Sequence, residues 1–213
     1  MSALVVDGHP DPDSLTAALA RAYAAAHPDA TLLAVRDLDV DLVLHRGLRA
    51  DQPLEPDLLH AAGLLREADH VVLATPVWWE STPALLKGFL DRLLQAGWAY
   101  TYRGHRPVGL LAGRSARVLV TADSPGWYLR LRGSATVRQL RGGTLRFVGM
   151  KPVDVTRFTS VRTSDAARRA AWLEAVSDLA RADAARVGRA VGSGRTRRDP
   201  GELTPRRREP AAG

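Results

Sequence analysis

Three short stretches of the chain gather side chains that can do chemistry. The first is Asp7-Gly8-His9-Pro10-Asp11-Pro12-Asp13-Ser14-Leu15-Thr16, where a strand-like run passes into a helical one. It sets an imidazole (His9) and two hydroxyls (Ser14, Thr16) beside the opening turn of a helix. Free backbone N–H groups and the positive end of the helix dipole favour a phosphate at such a turn. The stretch matches neither GxGxxG nor GxxxxGK[ST]. A capped turn with Asp13 as N-cap is the competing interpretation. Asp7, Asp11 and Asp13 must point outward, or serve in capping, for an anion to bind.

The second stretch is Thr75-Pro76-Val77-Trp78-Trp79-Glu80-Ser81-Thr82-Pro83. Neighbouring side chains diverge, so Trp78 and Trp79 cannot share one core, and at least one should offer a flat apolar face to a planar ring. Packing of both beneath the loop is the alternative. The third stretch, Thr121-Ala122-Asp123-Ser124-Pro125-Gly126-Trp127-Tyr128, again runs from small residues to aromatics. Brought together, the three make a phosphate socket and two walls for a flat heterocycle.

Such an assembly needs elements that end side by side. Short apolar runs at Leu4–Val6, Thr31–Val35, His70–Ala74, Ala116–Thr121 and Pro152–Val155 read as five strands. Helical spacing of apolar residues marks Ser14–Ala26, Asp57–Ala68, Pro83–Ala96, Ser134–Phe147 and Asp165–Val187. Pro83 suits a first helical turn capped by Ser81 or Thr82, and Gly97 suits its far end. Strict alternation of strand and helix predicts β–α–β units around a buried parallel sheet. Five such strands fit a doubly wound α/β sandwich of order 2-1-3-4-5, or half of a larger dinucleotide fold. Either puts ligands beyond the carboxyl ends of the strands, which is where the three stretches fall.

The run Pro76-Val77-Trp78-Trp79-Glu80-Ser81-Thr82-Pro83-Ala84-Leu85-Leu86-Lys87-Gly88-Phe89 resembles the pattern P-x-x-W-x-x-x-P-A-x-L-K-G. Gly97-Trp98-Ala99-Tyr100-Thr101-Tyr102 is similar to G-x-x-A-Y-x-Y, and His9 with Ser14-Leu15-Thr16 to H-x-x-x-x-S-F-N. These patterns belong to the flavodoxin-like NAD(P)H:quinone oxidoreductases of the DT-diaphorase type, which the chain resembles over roughly residues 1 to 185. The resemblance implies a flavodoxin-like fold, FMN (with FAD as the alternative), NAD(P)H as hydride donor, a quinone-like acceptor and a homodimer. His9, Ser14, Leu15 and Thr16 would hold the flavin phosphate end. Pro76, Val77, Trp78, Trp79, Glu80 and Ser81 would line the isoalloxazine, largely through backbone N–H and C=O groups, with Thr121, Ala122, Asp123 and Ser124 at its other edge. Tyr100, Tyr102 and Trp127 would border the substrate pocket, the two tyrosines commonly from the partner subunit. Tyr128 matches a tyrosine placed near the flavin as a donor; the histidine some members carry six residues later is Ser134 here. An electron carrier of the same fold, or a flavin-binding accessory subunit, is the alternative function.

Composition narrows the remaining possibilities. The 213 residues are 46% hydrophobic and 25% charged, which suits one globular domain. No apolar run approaches the roughly 20 residues of a membrane-spanning helix. No basic, apolar leader opens the chain, and cysteine is absent, which removes thiolate nucleophiles and thiolate metal sites; a cytoplasmic location is expected. The formal charge of +7 includes +4 between Arg189 and Gly213, and no nucleic-acid reader motif accompanies it. The expected organisation is a flavin-binding domain over residues 1–190 and a structureless basic tail over 191–213, without a metal site.

Overall fold

The computed structural model describes residues 2–45, 47, 52–127, 134–192 and 196–203. Strands β1 (Ala3–Asp7), β2 (Ala30–Ala34), β3 (His70–Pro76), β6 (Ser115–Ala122) and β7 (Val153–Thr159) form one parallel sheet of order β2-β1-β3-β6-β7. Counted among sheet strands alone, this is the expected 2-1-3-4-5. The Gly- and Pro-rich stretch after Gly97 adds an antiparallel hairpin, β4 (Tyr100–Arg103) and β5 (Arg106–Gly109), outside the sheet. β1, β3 and β6 are buried along their whole length, which explains their unbroken apolar character; β2 and β7 are half-open edges.

Helices α1 (Leu15–Ala26) and α5 (Ala166–Gly192) cover one face, where Val5, Leu19, Tyr23, Val72, Leu119, Phe158 and Val176 pack together. Helices α2 (Pro56–Glu67) and α3 (Ala84–Leu93) cover the other, joined by α4 (Ala135–Arg138) and the wider π turns that continue it over Gln139–Arg146. The segment predicted as one helix from Ser134 to Phe147 is therefore helical in two pitches. α3 is shorter than Pro83–Ala96 and has no side-chain cap: Ser81 is held in a turn and the buried Thr82 hydroxyl has no partner among the described residues. Gly88 is required for close approach, because a Cβ there would lie 2.6 Å from the Leu42 carbonyl oxygen.

The α1/α5 face also buries an ionic cluster. Asp183 accepts from Tyr23 Oη (2.8 Å), Arg117 Nε (2.5 Å) and Arg117 Nη2 (2.8 Å), with His70 Nε2 at 3.5 Å. Burial acts to raise the Asp183 carboxyl, but the Arg117 hydrogen bonds and the His70 and Arg117 charges outweigh it and hold the group well below the usual range. Burial first, then the Asp183 charge, pushes the Tyr23 phenol up.

A structureless tail was expected from 191, yet α5 continues to Gly192 and residues 196–203 lie along the body. Arg198 N donates to Ala112 O (2.9 Å), Trp98 Nε1 to Gly201 O (3.2 Å), and Leu203 is 6% exposed in the core. An apolar Leu203 and an indole N–H that needs an acceptor give this segment its hold, despite its polar composition. Residues 204–213 lie outside the described residues.

Candidate active site

β1, β3 and β6 end together, and the loops leaving them are tied by continued pairing. Gly8 N donates to Ala74 O (2.9 Å) and Val77 N to Thr121 O (2.8 Å). The Thr16 and Thr121 hydroxyls share a buried hydrogen bond of 2.7 Å between the first and third loops. Between the loops lies a cleft of about 310 Å³, lined by His9, Ser14, Leu15, Thr16, Pro76, Val77, Trp78, Thr121, Ala122, Asp123, Ser124 and Val161. Its size is at the lower end of the roughly 300–1,000 Å³ of small-ligand pockets.

The first loop is built to receive an anion. Ser14, not Asp13, caps α1: its Oγ accepts from Ala17 N at 3.1 Å, leaving the hydroxyl proton free to donate. Ala18 N is taken by Ser14 O and Ser14 N by Asp11 O, so the Leu15 and Thr16 amides at the cleft have no protein acceptor among the described residues. Asp11 N donates to His9 Nδ1 at 2.9 Å, which puts the proton of a neutral imidazole on Nε2 as a further donor. Asp11 and Asp13 are exposed as the sequence required, but Asp7 neither points outward nor caps a helix. Asp11 Oδ1 accepts from Asp13 N, and Asp7 is buried in an ion pair with Arg36.

The second loop makes a two-residue hairpin turn. Trp78 and Ser81 exchange backbone hydrogen bonds at 2.9 Å, with Trp79 (φ 50) and Glu80 (φ 59) both left-handed. That geometry suits Asn-Gly and strains ordinary side chains. Trp78 is 44% exposed at the cleft and edge-on to His9, whereas Trp79, 99% exposed, points clear of the protein. Glu80 and Ser81 turn instead toward α4, with Glu80 Oε2 accepting from Ala135 N (3.3 Å) and Ser81 Oγ 3.4 Å from Gln139. The side chains of Trp79, Glu80 and Ser81 thus lie off the cleft wall, while their backbone shapes the turn beside it.

The substrate-side aromatics lie elsewhere in a single chain. Tyr100 packs on Phe147 and borders a separate groove of about 170 Å³ between α3 and the π turns. Tyr102 is exposed, as is Trp127 at 64%. Tyr128 lies outside the described residues. Two site residues escaped the sequence. Val161 is carried in when Arg162 N donates to Asp123 Oδ1 at 2.8 Å. Arg36 was signalled only by Asp7, an acid ending a buried strand and so in need of a cation.

A family model described as flavodoxin-like fold matches residues 1–181. The chain is 31% identical over 196 residues to FMN-dependent NADH:quinone oxidoreductase 1 of Cupriavidus pinatubonensis, covering 83% of this chain and 91% of that one. Its match to ribosyldihydronicotinamide dehydrogenase (quinone) of Homo sapiens, 36% identical over 103 residues, spans 46% of this chain and 45% of that protein. Among solved structures, Smu.1420 from Streptococcus mutans superposes with a TM-score of 0.76 at 27% identity, over 85% of this chain and 99% of that one. The chain belongs to the flavodoxin-like NAD(P)H:quinone oxidoreductase family.

Proposed function

We propose that this chain is an FMN-dependent NAD(P)H:quinone oxidoreductase. The observation that carries the proposal is the cleft at the carboxyl ends of β1, β3 and β6, where amides without an acceptor among the described residues and the Ser14 hydroxyl meet an exposed indole. The Cupriavidus relative carries that activity in its name. FMN fits the residues present. The Leu15 and Thr16 amides, the Ser14 hydroxyl and His9 Nε2 offer donors to its phosphate, and Trp78, Pro76 and Val77 offer an apolar wall to its ring. A cleft of about 310 Å³ favours FMN over FAD, whose second phosphate and adenine would need further room.

FMN, when bound, would supply the two-electron chemistry that links NAD(P)H to the quinone. The chain's own work is to anchor, orient and exclude water. Thr16 and Thr121 lock the first and third loops together, which fixes the width of the slot. Asp123 Oδ1 accepts from Arg162 N, which ties the third loop to the segment that brings in Val161. Tyr128 is the proposed donor to the reduced ring, a role that rests on the family resemblance.

The proposal includes a homodimer. Tyr100 and Tyr102 stand on a hairpin away from their own chain's cleft, where a second copy could receive them. It also includes a cytoplasmic location, where NAD(P)H is supplied. Among the described residues no helix is long and apolar enough to cross a membrane.

The purified protein should be yellow, release FMN identifiable by mass, and consume NADH or NADPH steadily with a simple quinone. A colourless preparation that stays colourless with either FMN or FAD overturns the proposal. Flavin binding without NAD(P)H turnover would favour the carrier.

A further inference from the structure

The anion-receiving loop rests on a buried acid. Asp7 closes β1 with its side chain 1% exposed, two residues before His9. An unpaired carboxylate there would repel a bound phosphate or be driven to its neutral form. Arg36, from the short 3-10 turn Val35–Asp37 after β2, meets it: Nη1 lies 2.6 Å from Asp7 Oδ2 and 3.1 Å from His9 O. His9 N–H donates in turn to Asp7 Oδ1 at 3.1 Å. One ion pair therefore grips both the N–H and the C=O of His9. The exposed Asp37, 3.7 Å from Arg36 Nε, is a looser contact. Exposed Asp11 and Asp13 add negative charge on the same loop, and no Lys or Arg is among the described residues lining the cleft.

We infer that Asp7 and Arg36 are a positioning pair for the cofactor phosphate. Arg36 cancels the Asp7 charge and, with it, fixes the His9 peptide so that the imidazole and the first amides of α1 can accept a dianion. The inference rests on the flavin-binding proposal and adds to it a residue that touches neither cleft nor ring.

The phosphate is the sole difference between FMN and riboflavin, so their affinities separate charge placement from general folding. Dissociation constants for both flavins are measured on the full-length apoprotein by fluorescence quenching, for wild type, R36M, R36K and the double variant D7N/R36M, with thermal melting as a fold control. R36M, which leaves Asp7 uncompensated, should weaken FMN about tenfold or more and riboflavin no more than about threefold. R36K keeps the charge and should stay within about threefold of wild type for FMN. D7N/R36M removes both charges and should recover much of the FMN affinity that R36M loses, the His9 carbonyl still lacking its donor. Equal losses for both flavins in R36M, or a double variant that binds FMN no better than R36M, overturn the inference. If R36M does not fold, R36Q, which keeps a donor for the His9 carbonyl without the charge, replaces it with the same two outcomes. A wild-type chain that binds neither flavin sinks the proposed function instead.

Discussion

Ser14 does two jobs with one hydroxyl. Its oxygen closes the α1 N-terminus on Ala17 N, and its proton remains for the cleft. Ser14→Ala should therefore lower stability by about 1 kcal/mol, the usual cost of a lost N-cap. It should also weaken FMN more than riboflavin, which a titration with each flavin checks. The hydroxyls and His9 were legible because a strand, a short polar loop and a helical run follow one another in the sequence. The role of Asp7 was not. Its partner Arg36 stands 29 positions away, in an unremarkable position after β2, and only the pairing of β1 with β2 brings them together. Residues joined by register rather than by local pattern are invisible until the strand order is known.

Among elements, the Trp78–Ser81 turn conflicts with its own residues. Left-handed backbone at Trp79 and Glu80 is unfavourable for side chains of this kind, and Trp79 packs on nothing to offset it. Trp79→Asn should keep the turn and raise stability by up to about 1 kcal/mol in thermal or denaturant unfolding. If the same variant slows quinone reduction, the strain is retained for the exposed indole, in the manner of many functional loops. The strands were readable from short continuous apolar runs and the helices from period-3.6 patterns. The turn's handedness was not, because no Gly or Asn announces it. The change from α to π turns at Gln139 also had no pattern of its own, since the apolar spacing of Leu140 and Leu145 suits either pitch across so short a run.

At the scale of the whole molecule, the sheet is fastened to α1 and α5 by charge as well as by apolar contact. Asp183→Asn leaves Arg117 buried without its main counter-charge and should cost about 3–5 kcal/mol, visible as a large fall in urea midpoint. The Asp183 carboxyl is depressed in the folded state, so its contribution is complete above the unfolded carboxylate value of about 3.9 and shrinks as pH falls below it. Acid unfolding of the wild type should be steep in that range, and that of Asp183→Asn distinctly shallower, when both are followed by circular dichroism. The parallel architecture was legible from alternation alone. The ionic cluster was not: Tyr23, His70, Arg117 and Asp183 lie on four separate elements and share no local pattern when read in line.

The segment 196–203 leaves the chain at the starting ends of the parallel strands, where Arg198 meets Ala112 and Arg197 Nη1 lies 3.2 Å from Asp69 Oδ1. The cleft proposed for the flavin is at the other pole. β6 alone separates the two by its 8 residues, about 25 Å at the rise of an extended strand. A fluorophore attached at position 198 would thus sit at the far pole, leaving the mouth of the cleft open to the bathing solution.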